Sequence, residues 1–106
     1  GGDKLLPKVC GVDAEGDEGK QISERRGEIF LAEYLPRLRP TRGAPELLER
    51  LRARGLRLAV ASSAKAGELK PLMKLCGADR ACEAATSSDD AGASKPDPDI
   101  LHAALR

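Results

Sequence analysis

The sequence is poor in aromatic residues and has no tryptophan. Among its 106 residues, the aromatic side chains are one Phe and one Tyr. Because aromatic side chains normally supply much of the buried area of a domain, we expect a thin core built mainly from Ala and Leu, with a few Val and Ile. The length allows at most one small domain.

Long apolar runs and an excess of one charge are also missing. No stretch approaches the roughly twenty apolar residues that cross a bilayer, and no basic segment followed by an apolar one opens the chain. The net charge is +1. A protein dedicated to nucleic acid needs concentrated basic residues, so we predict neither a nucleic-acid nor a membrane partner.

Cysteine is scarce and unpaired in the sequence. Cys10, Cys76 and Cys82 are odd in number and form no C-x-x-C pair. This pattern disfavours a disulfide framework and a zinc site, and it favours a reducing cytoplasm. The chain starts at Gly1 without a Met, which suggests a piece of a longer protein.

Charge changes sign along the chain. Residues 11–36 carry seven acids and three bases, whereas 37–57 carry seven arginines and two glutamates. Two prolines and a glycine in 35–43 prevent one continuous helix there, so this segment is predicted to be a connector. The arginines are interpreted as solvated helix faces.

The first part of the chain is predicted to be helical. Helices are expected over 3–10 and 19–35, and the second has Ile22, Ile29, Phe30 and Tyr34 on one side. No segment in this part has the pattern of a strand.

The second part alternates helices and strands. Helices are predicted over 44–54, ending at Gly55, and over 64–76, ending at Gly77, with Pro71 as an interruption or a bend. Short apolar runs predict buried strands over 56–61 and, more weakly, 82–86. Asp97 is expected to cap a last helix, with Pro98 in its first position. The alternation predicts an unfinished α/β parallel sheet.

Hydroxyl groups follow the first predicted strand. Ligands bind beyond the carboxyl ends of parallel strands, where the next helix presents its amide groups. Ser62 and the Ser63 amide are therefore candidates for binding a phosphate, and Lys65 for adding charge. A simple helix cap at Ser62 or Ser63, and an exposed Lys65, are the alternatives.

A lysine on a stiff segment follows the second predicted strand. The residue before a proline is held extended, so the backbone of Lys95 is restricted. Lys95 is expected at the carboxyl ends of the strands, on the same side of the sheet as Ser62. Its ammonium group is a candidate for stabilising charge on a transferring phosphoryl group bound by Ser62.

These residues resemble the haloacid dehalogenase-like hydrolases, in the subgroup of phosphatases and phosphoglucomutase-like enzymes with a helical cap. Residues 58–63 resemble the family's second motif, a hydrophobic strand ending in Ser or Thr. Residues 88–90 and 94–99, with Lys-Pro-Asp-Pro-Asp, resemble the third motif region. Residues 41–55 are similar to the helix before the second motif, and 2–6 with 25–30 to parts of the cap.

The resemblance implies a fold, a chemistry and roles for particular residues. It implies a partial Rossmann-like core of parallel strands and flanking helices over 39–106, preceded by part of an all-helical cap over 1–38. Ser62 and Lys95 would hold the phosphoryl group, and Arg26 would reach the substrate from the cap, although an exposed helix arginine is the alternative. In the family, an aspartate nucleophile attacks the phosphate ester and Mg²⁺ bridges nucleophile and phosphate.

Two motifs of the family are missing from the 106 residues. The first, Asp-x-Asp followed by Gly, does not occur, and the fourth, an acidic pair that binds magnesium, would lie beyond Arg106. Asp89 and Asp90 are interpreted as a solvated loop and His102 as a surface residue, so no metal ligand is expected in the chain.

We expect the chain to be part of a Mg²⁺-dependent hydrolase that acts on a small phosphorylated metabolite. The reaction would be phosphate monoester hydrolysis or phosphosugar mutase chemistry. This chain by itself is predicted to be inactive. The alternative is a non-catalytic phosphate-binding or regulatory module derived from the same fold. The sequence does not predict an oligomeric state.

Overall fold

The first part of the chain is an extended run of helices. The computed structural model describes residues 2–106. Helix α1 covers Gly2–Cys10 and helix α2 covers Asp17–Ile29, which continues as a π-helical turn over Phe30–Tyr34 and a 3₁₀ turn over Leu35–Arg37. This confirms the predicted helical character of the segment.

The second part is a small α/β unit. Helix α3 (Ala44–Ala53) leads to strand β1 (Ala59–Ala61), and helices α4 (Ala66–Cys76) and α5 (Ala78–Ala81) connect it to strand β2 (Ala84–Thr86). A 3₁₀ turn over Ser88–Asp90 and helix α6 (Asp99–Ala104) follow. The order confirms the predicted alternation, and α5 is an element that the apolar pattern had not indicated.

The two strands are parallel neighbours. Ala59 lies opposite Ala84, and Ala61 opposite Thr86. Backbone hydrogen bonds extend the ladder by one step at each end, from Glu83 N to Leu58 O at 2.9 Å and from Ser62 N to Thr86 O at 3.1 Å. The strands are shorter than predicted, but they confirm a partial α/β fold with a parallel sheet.

The core is thin, as the composition led us to expect. The buried apolar side chains of residues 2–106 are Leu6, Leu69, Ala78, Ala81, Ile100 and Ala103, half of them alanine. Ile100 is the most deeply buried of these, because α6 packs against both strands. The radius of gyration is 15.3 Å, above the roughly 13 Å of a compact domain of this length.

Glycines end two helices as predicted, and Pro71 does not cause the interruption that was one of its two predicted effects. Gly55 and Gly77 follow α3 and α4 with φ of 80° and 79°, in the left-handed region that glycine adopts without a steric penalty. Pro71 does not interrupt α4, which continues to Cys76. A proline removes one helical hydrogen bond, and α4 nevertheless spans Ala66–Cys76.

The predicted start of the last helix was wrong. Helix α6 begins at Asp99 after Pro98, and no side chain caps it. The carboxylate of Asp97 accepts a hydrogen bond from Lys4 Nζ, and Pro98 occupies the N-cap position. Within residues 2–106, no helix has the length and apolar character to cross a membrane.

Candidate phosphate-binding cleft

Ser62 lies at the carboxyl end of β1 and its oxygen serves the following turn. Its Oγ accepts a hydrogen bond from Ala64 N at 3.1 Å. The helix itself starts later, because Lys65 is extended, with φ −66° and ψ 150°, and α4 begins at Ala66. A serine hydroxyl also has one donor, and no acceptor for the Ser62 proton occurs among the described residues.

Ser63 carries a buried hydroxyl without a partner. Its Oγ is shielded from solvent and makes no hydrogen bond within residues 2–106. An unsatisfied buried polar group costs about 1–3 kcal/mol. Ser63 also lines a cleft of about 970 Å³ between the helical segment and the α/β unit, although its hydroxyl oxygen itself is not exposed to that space.

The start of α4 is held by an aspartate from the loop after β2. Asp89 Oδ2 accepts a hydrogen bond from Ala66 N at 3.3 Å, and Asp90 Oδ2 accepts one from the buried Ser87 N at 2.8 Å. Asp89 and Asp90 are exposed, yet both carboxylates order the loop that follows β2. The interpretation of this pair as a solvated loop therefore missed its structural function.

Lys95 is exposed on the loop before α6 and does not line the cleft. The adjacent residue, Ser94, does line it, and Asp3 accepts hydrogen bonds from both Ser94 N, at 3.1 Å, and Ser94 Oγ, at 2.6 Å. The Ser94 hydroxyl lowers the pKa of Asp3 to about 2. Helix α1 therefore fixes the backbone one residue before Lys95.

Arg26 reaches the α/β unit. Its Nη2 lies 2.6 Å from Glu68 Oε1, with the arginine side chain 58% exposed and the glutamate 12%. Gly27 leaves room for this approach, since a Cβ there would lie 3.2 Å from the same carboxylate oxygen. Arg26 lines the cleft, but its guanidinium is already paired with a carboxylate.

Sequence reasoning predicted some of the residues that meet here and missed others. The cleft is lined by Ser63, Lys65 and Arg26. Ser62 and Lys95 do not line it, but each is adjacent in sequence to a residue that does. Asp3, Lys4 and Glu68 were not anticipated. Their partners lie 91, 93 and 42 positions away, and a single sequence gives no signal for contacts at such distances.

Metal-binding chemistry has no support from the described side chains. No group of three or more His, Cys, Asp or Glu within residues 2–106 has the arrangement to hold a metal ion. Asp89 and Asp90 already accept hydrogen bonds from backbone amides. The residues present do not fit a magnesium pocket.

The comparison with protein families gives one result. A family model described as a hydrolase, haloacid dehalogenase-like hydrolase, matches residues 5–106. No curated protein and no solved structure matches the chain significantly.

Proposed function

Because the chain belongs to the haloacid dehalogenase-like hydrolases, we propose that it is part of a phosphatase-type enzyme acting on a small phosphorylated metabolite. The proposed reaction is either hydrolysis of a phosphate monoester or phosphosugar mutase chemistry. The proposed location is the cytoplasm. The division into a partial cap, 1–38, and a partial core, 39–106, is part of it as well.

The observation that carries the proposal is the pair of serines after β1. The Ser62 hydroxyl has an unused donor, and the Ser63 hydroxyl is buried at the cleft without a partner. A phosphoryl group has oxygens that accept such hydrogen bonds, and the carboxyl end of a parallel strand is where α/β folds bind ligands. In the proposal, Ser62 and Ser63 hold phosphoryl oxygens.

Lys95 supplies the positive charge in this proposal. It makes no ion pair with the residues that the structure describes, and the Asp3–Ser94 hydrogen bonds fix the backbone beside it. An ammonium group on a flexible stem places a compact charge near an oxyanion. Arg26, paired with Glu68, contributes hydrogen-bond donors to the cleft wall.

Nucleophile and metal are not assigned to residues of this chain. The family's Asp-x-Asp-Gly motif does not occur in the 106 residues, and the described side chains do not fit magnesium. When bound, magnesium would supply charge neutralisation of the phosphoryl group. We expect no turnover of p-nitrophenyl phosphate by this chain, with or without Mg²⁺, and appreciable turnover would contradict that expectation.

A titration with inorganic phosphate tests the binding site directly. We expect phosphate to shift the backbone amide signals of residues 62–64 in NMR spectra of the 106-residue chain. Lys95→Ala should weaken the apparent affinity about tenfold, equivalent to about 1.4 kcal/mol. Lys74→Ala, at the exposed end of α4, is the control and should leave the affinity unchanged. Equal effects of the two substitutions on the affinity would contradict the proposal that Lys95 contacts the phosphate.

A second candidate is a phosphate-binding module without catalysis. Translation of the coding sequence on both sides of this segment separates the two candidates. An Asp-x-Asp-Gly motif upstream and an acidic pair downstream would support the enzyme, and their absence would support the module.

A further inference from the structure

One face of α2 and of the π-helical turn that continues it forms a largely apolar stripe, the α2 stripe, along a surface groove of about 620 Å³. Residues three and four positions apart share one face of a helix, and the groove is lined by residues at this spacing: Gln21, Ile22, Arg25, Arg26, Ile29, Phe30 and Tyr34. The two isoleucines and Phe30 are only half-buried, and Tyr34 is more than half exposed. Within residues 2–106, no helix or strand of the α/β unit packs extensively against α2. The stripe therefore has room for a partner.

The two arginines of the stripe already have carboxylate partners. Arg25 Nη1 lies 3.1 Å from Glu28 Oε2, and Arg26 Nη2 lies 2.6 Å from Glu68 Oε1. An arginine packs its aliphatic stem along apolar surface while its charged head stays in water. A second apolar surface can therefore cover the stripe without meeting uncompensated positive charge at its centre.

The two ends of the α2 stripe carry opposite charge. At its start, Glu18 in the first turn of α2 lies four residues before Ile22 and so on the same face. At its end, the Arg37 guanidinium lies 5.6 Å from the centre of the Tyr34 ring, and its Nε donates a hydrogen bond to the Glu33 carbonyl at 2.8 Å. Neither Glu18 nor Arg37 makes an ion pair with another residue of 2–106. An identical stripe lying antiparallel to this one would place each acidic end beside a basic end.

We propose that the α2 stripe is a self-association surface, on which a second copy of the chain docks its own α2 in antiparallel orientation. A twofold pair joins the same surface of both copies, so that surface has to complement itself. In an antiparallel pair, the position numbers of facing residues have a constant sum. The register that joins Glu18 of one copy to Arg37 of the other therefore also joins members of the stripe: Gln21 to Tyr34, Arg25 to Phe30, and Arg26 to Ile29.

This register is favourable at the ends and in the middle of the pair. Arginine over an aromatic ring is an attractive contact, and burial of the half-exposed apolar side chains supplies the driving force. A parallel pair would place Glu18 beside Glu18 and Arg37 beside Arg37, and it would also align the two helix dipoles unfavourably. The surface is independent of the phosphate site proposed above.

Sedimentation equilibrium of the 106-residue chain at low ionic strength tests this proposal. One pair of helices makes a smaller interface than the roughly 1,200–2,000 Å² of stable complexes, so we expect a reversible monomer–dimer equilibrium between about 10 µM and 1 mM. Ile29→Asp puts a charge in the stripe and should weaken dimerisation at least about tenfold. Leu31→Asp is the matched control and should leave the dimer unchanged. Leu31 is a 41% exposed side chain of the same helical stretch, and it does not line the groove.

Charge reversal at the two exposed ends tests the orientation. Glu18→Arg and Arg37→Glu should each weaken the homodimer about two- to tenfold, because each places like charges together at both ends of the pair. An equimolar mixture of the two variants should restore association, because every end then faces an opposite charge. A homodimer unaffected by either reversal, or a mixture no tighter than the single variants, would overturn the antiparallel arrangement. A chain that stays monomeric over the whole concentration range, or equal effects of Ile29→Asp and Leu31→Asp, would overturn self-association through the stripe.

Discussion

The helical segment 2–37 and the α/β unit 44–106 are stabilised in different ways. In the helical segment, Leu6 is the buried apolar residue among those described, while Leu5, Val9 and Tyr34 are more than half exposed. The α/β unit buries side chains from α4, α5 and α6 around its two strands. The α/β unit thus depends on apolar packing, whereas the helical segment is held to the α/β unit largely by polar contacts.

Among the contacts of residues 2–106, three polar links join the two regions. They are Arg26 with Glu68, Lys4 with Asp97, and Asp3 with Ser94. Exposed ion pairs contribute only about 0–1 kcal/mol each. The helical segment should therefore separate from the α/β unit more readily than the unit itself unfolds, and the cleft between them depends on these contacts.

The largest expected effect is the loss of a core side chain in the α/β unit. Ile100 is 1% exposed, so Ile100→Ala should reduce the free energy of unfolding by about 2–5 kcal/mol. Leu101→Ala, at a neighbouring side chain that is 55% exposed, should cost much less. Urea denaturation measures both. Similar losses for the two variants would contradict the position of the core.

An intermediate effect is expected from a backbone contact in the helical segment. A Cβ at Gly19 would lie 2.1 Å from the backbone oxygen of Asp13, so Gly19→Ala should force the start of α2 to shift, at a cost of about 1–3 kcal/mol. Hydrogen exchange should show lost protection in α1 and α2 and unchanged protection in β1 and β2.

The control for that substitution is a glycine with space around it. Gly67 is the second residue of α4, and nothing is within 4 Å of a Cβ built there. Because glycine destabilises a helix interior by roughly 0.5–1 kcal/mol relative to alanine, Gly67→Ala should be neutral or stabilising. Loss of protection throughout the chain in Gly19→Ala would show that the two regions unfold together.

The smallest expected effect is a pH dependence at the contact between the regions. The pKa of Asp3 is lowered from 3.8 to about 2, mainly by the Ser94 hydroxyl. A lowered carboxyl pKa stabilises the folded state above the unfolded pKa, and this contribution disappears as the pH falls from about 4 to 2. Since Asp3 is exposed, we expect about 0.5–1 kcal/mol.

Hydrogen exchange in α1 between pH 5 and pH 2 measures this contribution. Asp3→Asn should remove the pH dependence in that window, because the amide does not titrate. If the Asp3→Asn variant kept the same pH dependence of protection in α1, a group other than Asp3 would be responsible for it.

The sequence predicted the elements of the fold better than the contacts between them. Apolar periodicity indicated α3, α4 and both strands, and Gly55 and Gly77 marked the ends of helices, because these signals are local. Asp97 does not cap α6, and its carboxylate pairs with Lys4, 93 positions away, a contact for which the sequence has no local signal. The Arg26–Glu68 pair was invisible for the same reason, since both residues have the appearance of solvated helix faces.

The candidate site was predictable only in its strand-end residues. Ser62 and Ser63 follow a recognisable apolar run, so their place at the carboxyl end of a strand was predictable from the pattern. The unsatisfied hydroxyl of Ser63 and the neutralised state of Arg26 depend on packing. Whether Ser62 and Lys95 bind one phosphoryl group remains a prediction.

A crystal structure of the chain soaked with inorganic phosphate tests that central claim most directly. We predict one ordered anion at the carboxyl end of β1, with Ser62 Oγ and Lys95 Nζ each within about 3.2 Å of its oxygens. An anion contacted by neither side chain, or by only one of them, would contradict the proposed phosphoryl site.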